Sequence, residues 1–136
     1  MSVSMDNSIL IPKYIQLILE ENEAVMSILN NDANKIFTLN RNDELTFPFI
    51  AHQRLNITPT YTKDFHWTNL VTYSVKCVSN DYSEVLELAN ATRHALETYR
   101  WKDENICIQP IQMTGISEYL IDDAIVEEIQ LQMIIQ

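Results

Sequence analysis

The chain has 136 residues, 46% of them hydrophobic, and its 9 lysines and arginines face 19 acids for a formal net charge of −10. Such a length and composition give one domain with a genuine core and exclude a disordered chain. The acidity argues against binding phosphate through the average surface, and a single glycine, Gly115, excludes the Gly-rich loops that cradle phosphates and dinucleotides.

Residues 1–7 read as a flexible N-terminal arm and residues 8–136 as one domain. Ile9 to Leu29 reads as one helix. Ile11, Tyr14, Ile15, Ile18, Val25 and Leu29 fall near one face, with Glu20, Glu21 and Glu23 on the other. Pro12 suits a first turn, and Asn30-Asn31-Asp32 ends the helix. Lys35 to Leu39 is a short strand. After a polar turn, Phe49 to Ile57 is a second strand, in which Phe49, Ala51, Leu55 and Ile57 alternate with His52, Arg54 and Asn56, and Ile50 breaks the pattern. Residues 58–69 form a long connection that carries Tyr61, Phe65 and Trp67; aromatics on such a loop fold back onto the core or meet a partner.

Leu70 to Ser79 is the cleanest strand, with Val71, Tyr73, Val75 and Cys77 on one face and Thr72, Ser74 and Lys76 on the other. A second helix follows, with Asp81 and Glu84 placed as a reciprocal cap. Its apolar stripe is Tyr82, Val85, Leu86, Ala89, Thr92, Leu96 and Tyr99. Ile106 to Ile116 and Ala124 to Ile135 are a final strand pair. The last strand turns Ile125, Ile129, Leu131 and Met133 inward, with Glu127 interrupting that face. The order α-β-β-β-α-β-β specifies an α+β domain: a mostly antiparallel β-sheet with two helices packed on it.

Little in this chain spells chemistry. Cys77 and Cys107 stand 30 residues apart with no His or Cys at metal spacing, which reads as two reduced thiols, not a disulfide or zinc site. His52, His66 and His94 have no partner at i+3 or i+4 that would make a metal pair. The acid pairs Glu84 and Glu87, Asp122 and Asp123, and Glu127 and Glu128 read as solvated surface. No nucleophile, base or metal constellation emerges, so the reading is of a non-enzyme with no cofactor. No apolar run approaches the roughly 18 residues of a membrane span, and no secretory leader is seen; the expected product is cytoplasmic.

From Phe47 to Leu96 the order of features resembles the tail-completion, or tail-terminator, proteins of tailed bacteriophages. The resembling text is FPFIAHQRLNITPTY, then a loop with Thr62-Lys63-Asp64, then VTYSVKCVSNDYSEVLELANATRHAL. The latter is a strand, an immediate turn with Tyr82, and a helix carrying Glu84, Leu88-Ala89 and Arg93-x-Ala95-Leu96. The likeness extends over about residues 8–135, although the glycines and prolines common in the family's first loop are missing. It implies a structural virion protein forming a ring, hexameric or higher, that joins the tail tube to the head connector. It also implies ring formation through lateral β-sheet contact, neighbouring connector and tail proteins as partners, and genomic DNA passing through without specific binding. The alternatives are a neck ring of a short-tailed phage and a small non-viral dimeric binding or regulatory domain.

On that basis Tyr61, Phe65 and Trp67 are the candidate subunit-interface anchors, because buried aromatics carry much of an interface's energy. Asp122, Asp123, Glu127 and Glu128 are the candidate acidic face toward the channel or an adjacent ring, where negative charge repels DNA.

Overall fold

The computed structural model describes residues 7–39, 46–61 and 67–136. Its helices are α1 (Ile11–Glu20), α2 (Glu23–Ile28) and α3 (Tyr82–Leu96). Its strands are β1 (Ile36–Phe37), β2 (Phe49–Tyr61), β3 (Trp67–Ser79), β4 (Trp101–Lys102), β5 (Cys107–Ile108), β6 (Gln112–Ile121) and β7 (Ala124–Ile135). The α+β class is as the sequence specifies. The sheet runs β1-β2-β3-β7-β5-β4, with β6 also paired to β7, and every pairing except β1 with β2 is antiparallel.

The first helix is two. The hydrophobic phase runs on from Ile11 to Leu29, but Asn22 adopts an extended backbone and its side chain accepts the Val25 N–H at 3.0 Å. That is an N-cap, and it starts α2 anew. Asn30 and Asn31, both with positive φ (58° and 59°), then stop α2 as expected, since asparagine tolerates the left-handed region.

β2 corrects the expected phase. Ile50 and His52 are the buried residues, facing the helices, while Phe49 and Ala51 face the opposite side. Phe49 instead stacks on Phe47 and lies against Phe37, with ring centroids 5.8 and 5.5 Å apart. The connection 58–69 is also shorter than expected. β2 continues to Tyr61 and β3 begins at Trp67, with Thr58, Pro59, Thr60 and Tyr61 opposite Leu70, Asn69, Thr68 and Trp67. Pro59 is tolerated because this part of β2 is an edge.

In β3 and β7 the alternation holds. Val71, Tyr73, Val75 and Cys77 pair with Met133, Leu131, Ile129 and Glu127, and all point to the helix side. α1 contributes Ile11, Ile15, Ile18 and Leu19 to the same core, and α3 contributes Val85, Leu88, Ala95 and Leu96. Each valine, leucine or isoleucine among them, fully removed from water, stabilises the fold by roughly 1.5–3 kcal/mol. The buried stripe of α3 is rotated from the expected one, leaving Tyr82 and Leu86 exposed. Its cap is relayed rather than reciprocal. Asp81 accepts from Ser83 and Glu84 N–H, while Glu84 accepts the Ser79 hydroxyl at 2.8 Å and Ser79 Oγ accepts the Asp81 N–H.

The expected strand Ile106 to Ile116 is divided. Ile106, Ile108 and Ile111 are buried, with β5 short, and β6 begins at Gln112 and runs on to Ile121. None of the described helices covers the other face of the sheet, where Ser74, Glu128, Tyr119, Gln130, Gln132 and Gln112 lie.

Candidate functional site

Two places gather ionisable groups with unusual surroundings. The first is inside the core. His52 is buried between Tyr73 and Gln16, with Nδ1 2.5 Å from the Tyr73 hydroxyl and Nε2 2.7 Å from Gln16 Oε1. Gln16 Nε2 already donates to Glu20 and to the Ile36 carbonyl, so its Oε1 must accept. The proton is therefore on Nε2, and Nδ1 accepts from Tyr73. Burial holds the His52 pKa down to about 4, so the ring is neutral at pH 7. The triad fastens α1 to β2 and β3, with His52 2% exposed. Cys77 is equally enclosed, its thiol pushed up to about 12 by burial and directed at Thr92 Oγ1. His94 is exposed, and His66 lies outside the described residues. Among the described residues no group of three or more His, Cys, Asp and Glu is placed to hold a metal ion. None of the described helices is long and apolar enough to cross a membrane.

The second place is the β6–β7 hairpin, where the structure divides the four candidate acids. Asp122 and Asp123 form its turn, Asp122 with a positive φ of 53°. Glu127 and Glu128, as neighbours on one strand, point to opposite faces. Glu127 is not solvated. It is 5% exposed, sits on the helix face beside Cys77 and opposite Glu118, and its Oε1 has no hydrogen-bond partner among the described residues. Burial first, then the adjoining Glu118 carboxylate, push its pKa up to about 7. Glu118 is exposed; its pKa is lowered by the proton Glu127 offers and by the Tyr82 hydroxyl, which donates at 2.9 Å. The two carboxyl groups thus share a proton, as like charges in contact do. On the uncovered face Glu128 is satisfied differently, accepting from Ser74 at 2.9 Å and from Tyr119 at 2.8 Å.

The remaining feature is the edges. Beyond Ala51 no described strand lies against the outer side of β2, and none lies against the outer side of β6. Of the three expected interface aromatics, Tyr61 is 73% exposed at the end of β2 and Trp67 opens β3 directly opposite it. Phe65 lies outside the described residues. The sequence did not single out the exposed apolar residues of β6 and α3. Ile116, Leu120 and Ile121 on β6 and Tyr82 and Leu86 on α3 are all exposed to 40% or more. The signal was there in Leu120-Ile121, two apolar residues just ahead of an Asp-Asp turn.

No protein-family model matches the chain, and no curated protein matches it in sequence. Among solved structures it is similar to a chain of the virion of a native gene transfer agent particle. The two share a fold. The TM-score is 0.77 at 6% sequence identity, over 89% of this chain and 90% of that one. An identity that low speaks for the fold alone.

Proposed function

We propose that this chain is a structural virion protein that forms a ring at the head–tail junction of a tailed phage or phage-like particle. The observation that carries the reading is the full-length likeness of fold to a chain of a gene transfer agent virion. It meets, from an independent direction, the resemblance of Phe47 to Leu96 to the tail-completion proteins.

The sheet suits the role. Its strands run alternately from β2 through β3 and β7 to β6, so β2 and β6 point in opposite directions at its two sides. A copy placed beside β6 in the same orientation offers its β2 antiparallel to it. Repetition by one rotation is a heterologous contact, and it closes into a ring when the rotation divides the circle. The ring partners are then the chain itself, with connector and tail proteins above and below. Tyr61 and Trp67 lie opposite each other at the far end of the β2–β3 hairpin, and with Phe65, outside the described residues, they are the proposed anchors to a neighbour. Asp122 and Asp123 at the opposite hairpin, with Glu128 on the uncovered face, are the acids offered to the channel or to an adjacent ring.

Electron cryo-microscopy of the particle tests this. The expected result is a ring of this chain between portal and tail, and its level in the stack separates a tail terminator from another neck ring. Absence of the chain from every position in the particle would overturn the reading in favour of a small dimeric binding domain.

A further inference from the structure

The Glu118–Glu127 pair is incomplete in a single subunit. Glu127 is buried with an unpartnered oxygen, and no Lys or Arg among the described residues forms an ion pair with either acid. The ion pair found among the described residues, Arg93 with Glu97 at 3.2 Å, joins residues at the C-terminal end of α3, a helix whose N-terminal Tyr82 is the residue that reaches Glu118. Around the pair, Ile116 and Leu120 lie two residues either side of Glu118 on the same strand and are 44% and 70% exposed. A buried acid ringed by exposed apolar side chains is costly to leave as it is.

The complement lies on the other edge of the same sheet. Arg54 is on β2, on the helix side, paired with Tyr73. One of its nitrogens donates to the Ile9 carbonyl at 2.9 Å, and among the described residues most of the guanidinium's five donors meet no acceptor. Ile9 and Leu10, held beside it, are 66% and 39% exposed. The chain therefore has an acid between apolar residues on one edge and an arginine between apolar residues on the other.

Face and charge select the register. Residues 52–60 of β2, laid antiparallel along residues 112–120 of β6, use nine of the ten residues on each open edge. That alignment sets Arg54 opposite Glu118 and His52 opposite Leu120. It also keeps the helix-side residues of both strands on one face, as the two-residue period of a sheet demands.

Resting on the ring reading above, we infer that the occupant of this edge is a second copy of the chain, whose Arg54 completes the Glu118–Glu127 pair across each subunit boundary. Ile9 and Leu10 of one copy and Ile116 and Leu120 of the next exclude water around it, which is where a charged pair gains most.

Directly opposed residues have Cα atoms about 4.5–5.5 Å apart, within the range a disulfide spans. The test is the full chain carrying Arg54→Cys and Glu118→Cys, with Cys107→Ser to remove the half-buried thiol, oxidised at high concentration. The expected result is a ladder of covalent oligomers on a non-reducing gel that neither single cysteine variant gives. In parallel, Arg54→Glu should raise the concentration for half-assembly about tenfold or more, and Arg54→Glu combined with Glu118→Arg should recover it. Circular dichroism establishes that each variant is folded. Oligomers in sedimentation without the ladder would overturn this pairing and leave the ring standing. A wild-type chain that stays monomeric at every concentration would overturn this pairing, and the particle images would then judge the ring on its own.

Discussion

The Tyr73 hydroxyl donates to His52 Nδ1 at 2.5 Å, deep beneath α1, and the imidazole passes its own proton on to Gln16. Tyr73→Phe removes the donor and strands a buried nitrogen, at a cost of about 1–3 kcal/mol. Urea unfolding of Tyr73→Phe checks this. An unchanged midpoint would mean that the hydroxyl does nothing for the fold.

His52 also sets a pH dependence. Its pKa is near 6.5 unfolded and about 4 folded. Between those values the unfolded chain binds more protons, so this group's contribution is complete above pH 6.5 and lost as pH falls toward 4. The full loss is about 3 kcal/mol. Glu127 works in the other direction. Its pKa rises from 4.5 to about 7 on folding, so its contribution is complete below pH 4.5 and lost as pH rises through 7. From pH 4.5 to 6.5 the two slopes oppose each other. Wild-type stability should therefore vary little across that interval. Glu127→Gln should uncover the histidine slope, with stability rising by about 2 kcal/mol from pH 4.5 to 6.5, and should be the more stable protein at pH 8. Chemical denaturation at four pH values reads both effects; parallel profiles for the two proteins would refute the assignment.

Asn22 separates α1 from α2. Asn22→Ala removes the acceptor for the Val25 N–H and should destabilise the chain by about 1 kcal/mol, whereas Asn22→Asp or Asn22→Ser should cost much less. Were the segment able to run as one helix, alanine, the better helix former, would stabilise it instead. The sign of the shift in thermal midpoint decides between the two.

Much of the architecture was legible because period-2 patterns are robust. Val71, Tyr73, Val75 and Cys77 and the inward set Ile125, Ile129, Leu131 and Met133 all take the side their spacing demands. Where hydrophobic phase and backbone chemistry disagreed, phase misled. The apolar spacing of Ile11 to Leu29 is continuous, yet one asparagine side chain breaks it. Pro59 reads as a loop but occupies an open edge, where its missing N–H costs no pairing. In β2 polarity alone places His52 on the wet side, although partners on α1 and β3 make it a core residue. Glu127 interrupts an inward face, and its charge alone reads as solvated. The sequence shows the conflict, but only the burial of Glu127 and the placement of Glu118 show why one carboxyl has its pKa raised. Of the candidate aromatics, Tyr61 is exposed where the sequence draws attention to it, while the two open edges of the sheet depend on pairings far apart in sequence.

Both open strands carry a register shift, at Leu55 in β2 and at Thr114 in β6. Bulges of this kind bend and twist a strand. A straight, flat edge would invite any extended chain to join it, and amyloid grows by that indiscriminate welcome. A bent one accepts only a counterpart with a matching bend. The same irregularities that spoil a simple ladder therefore narrow what can add to either edge to a strand of complementary bend.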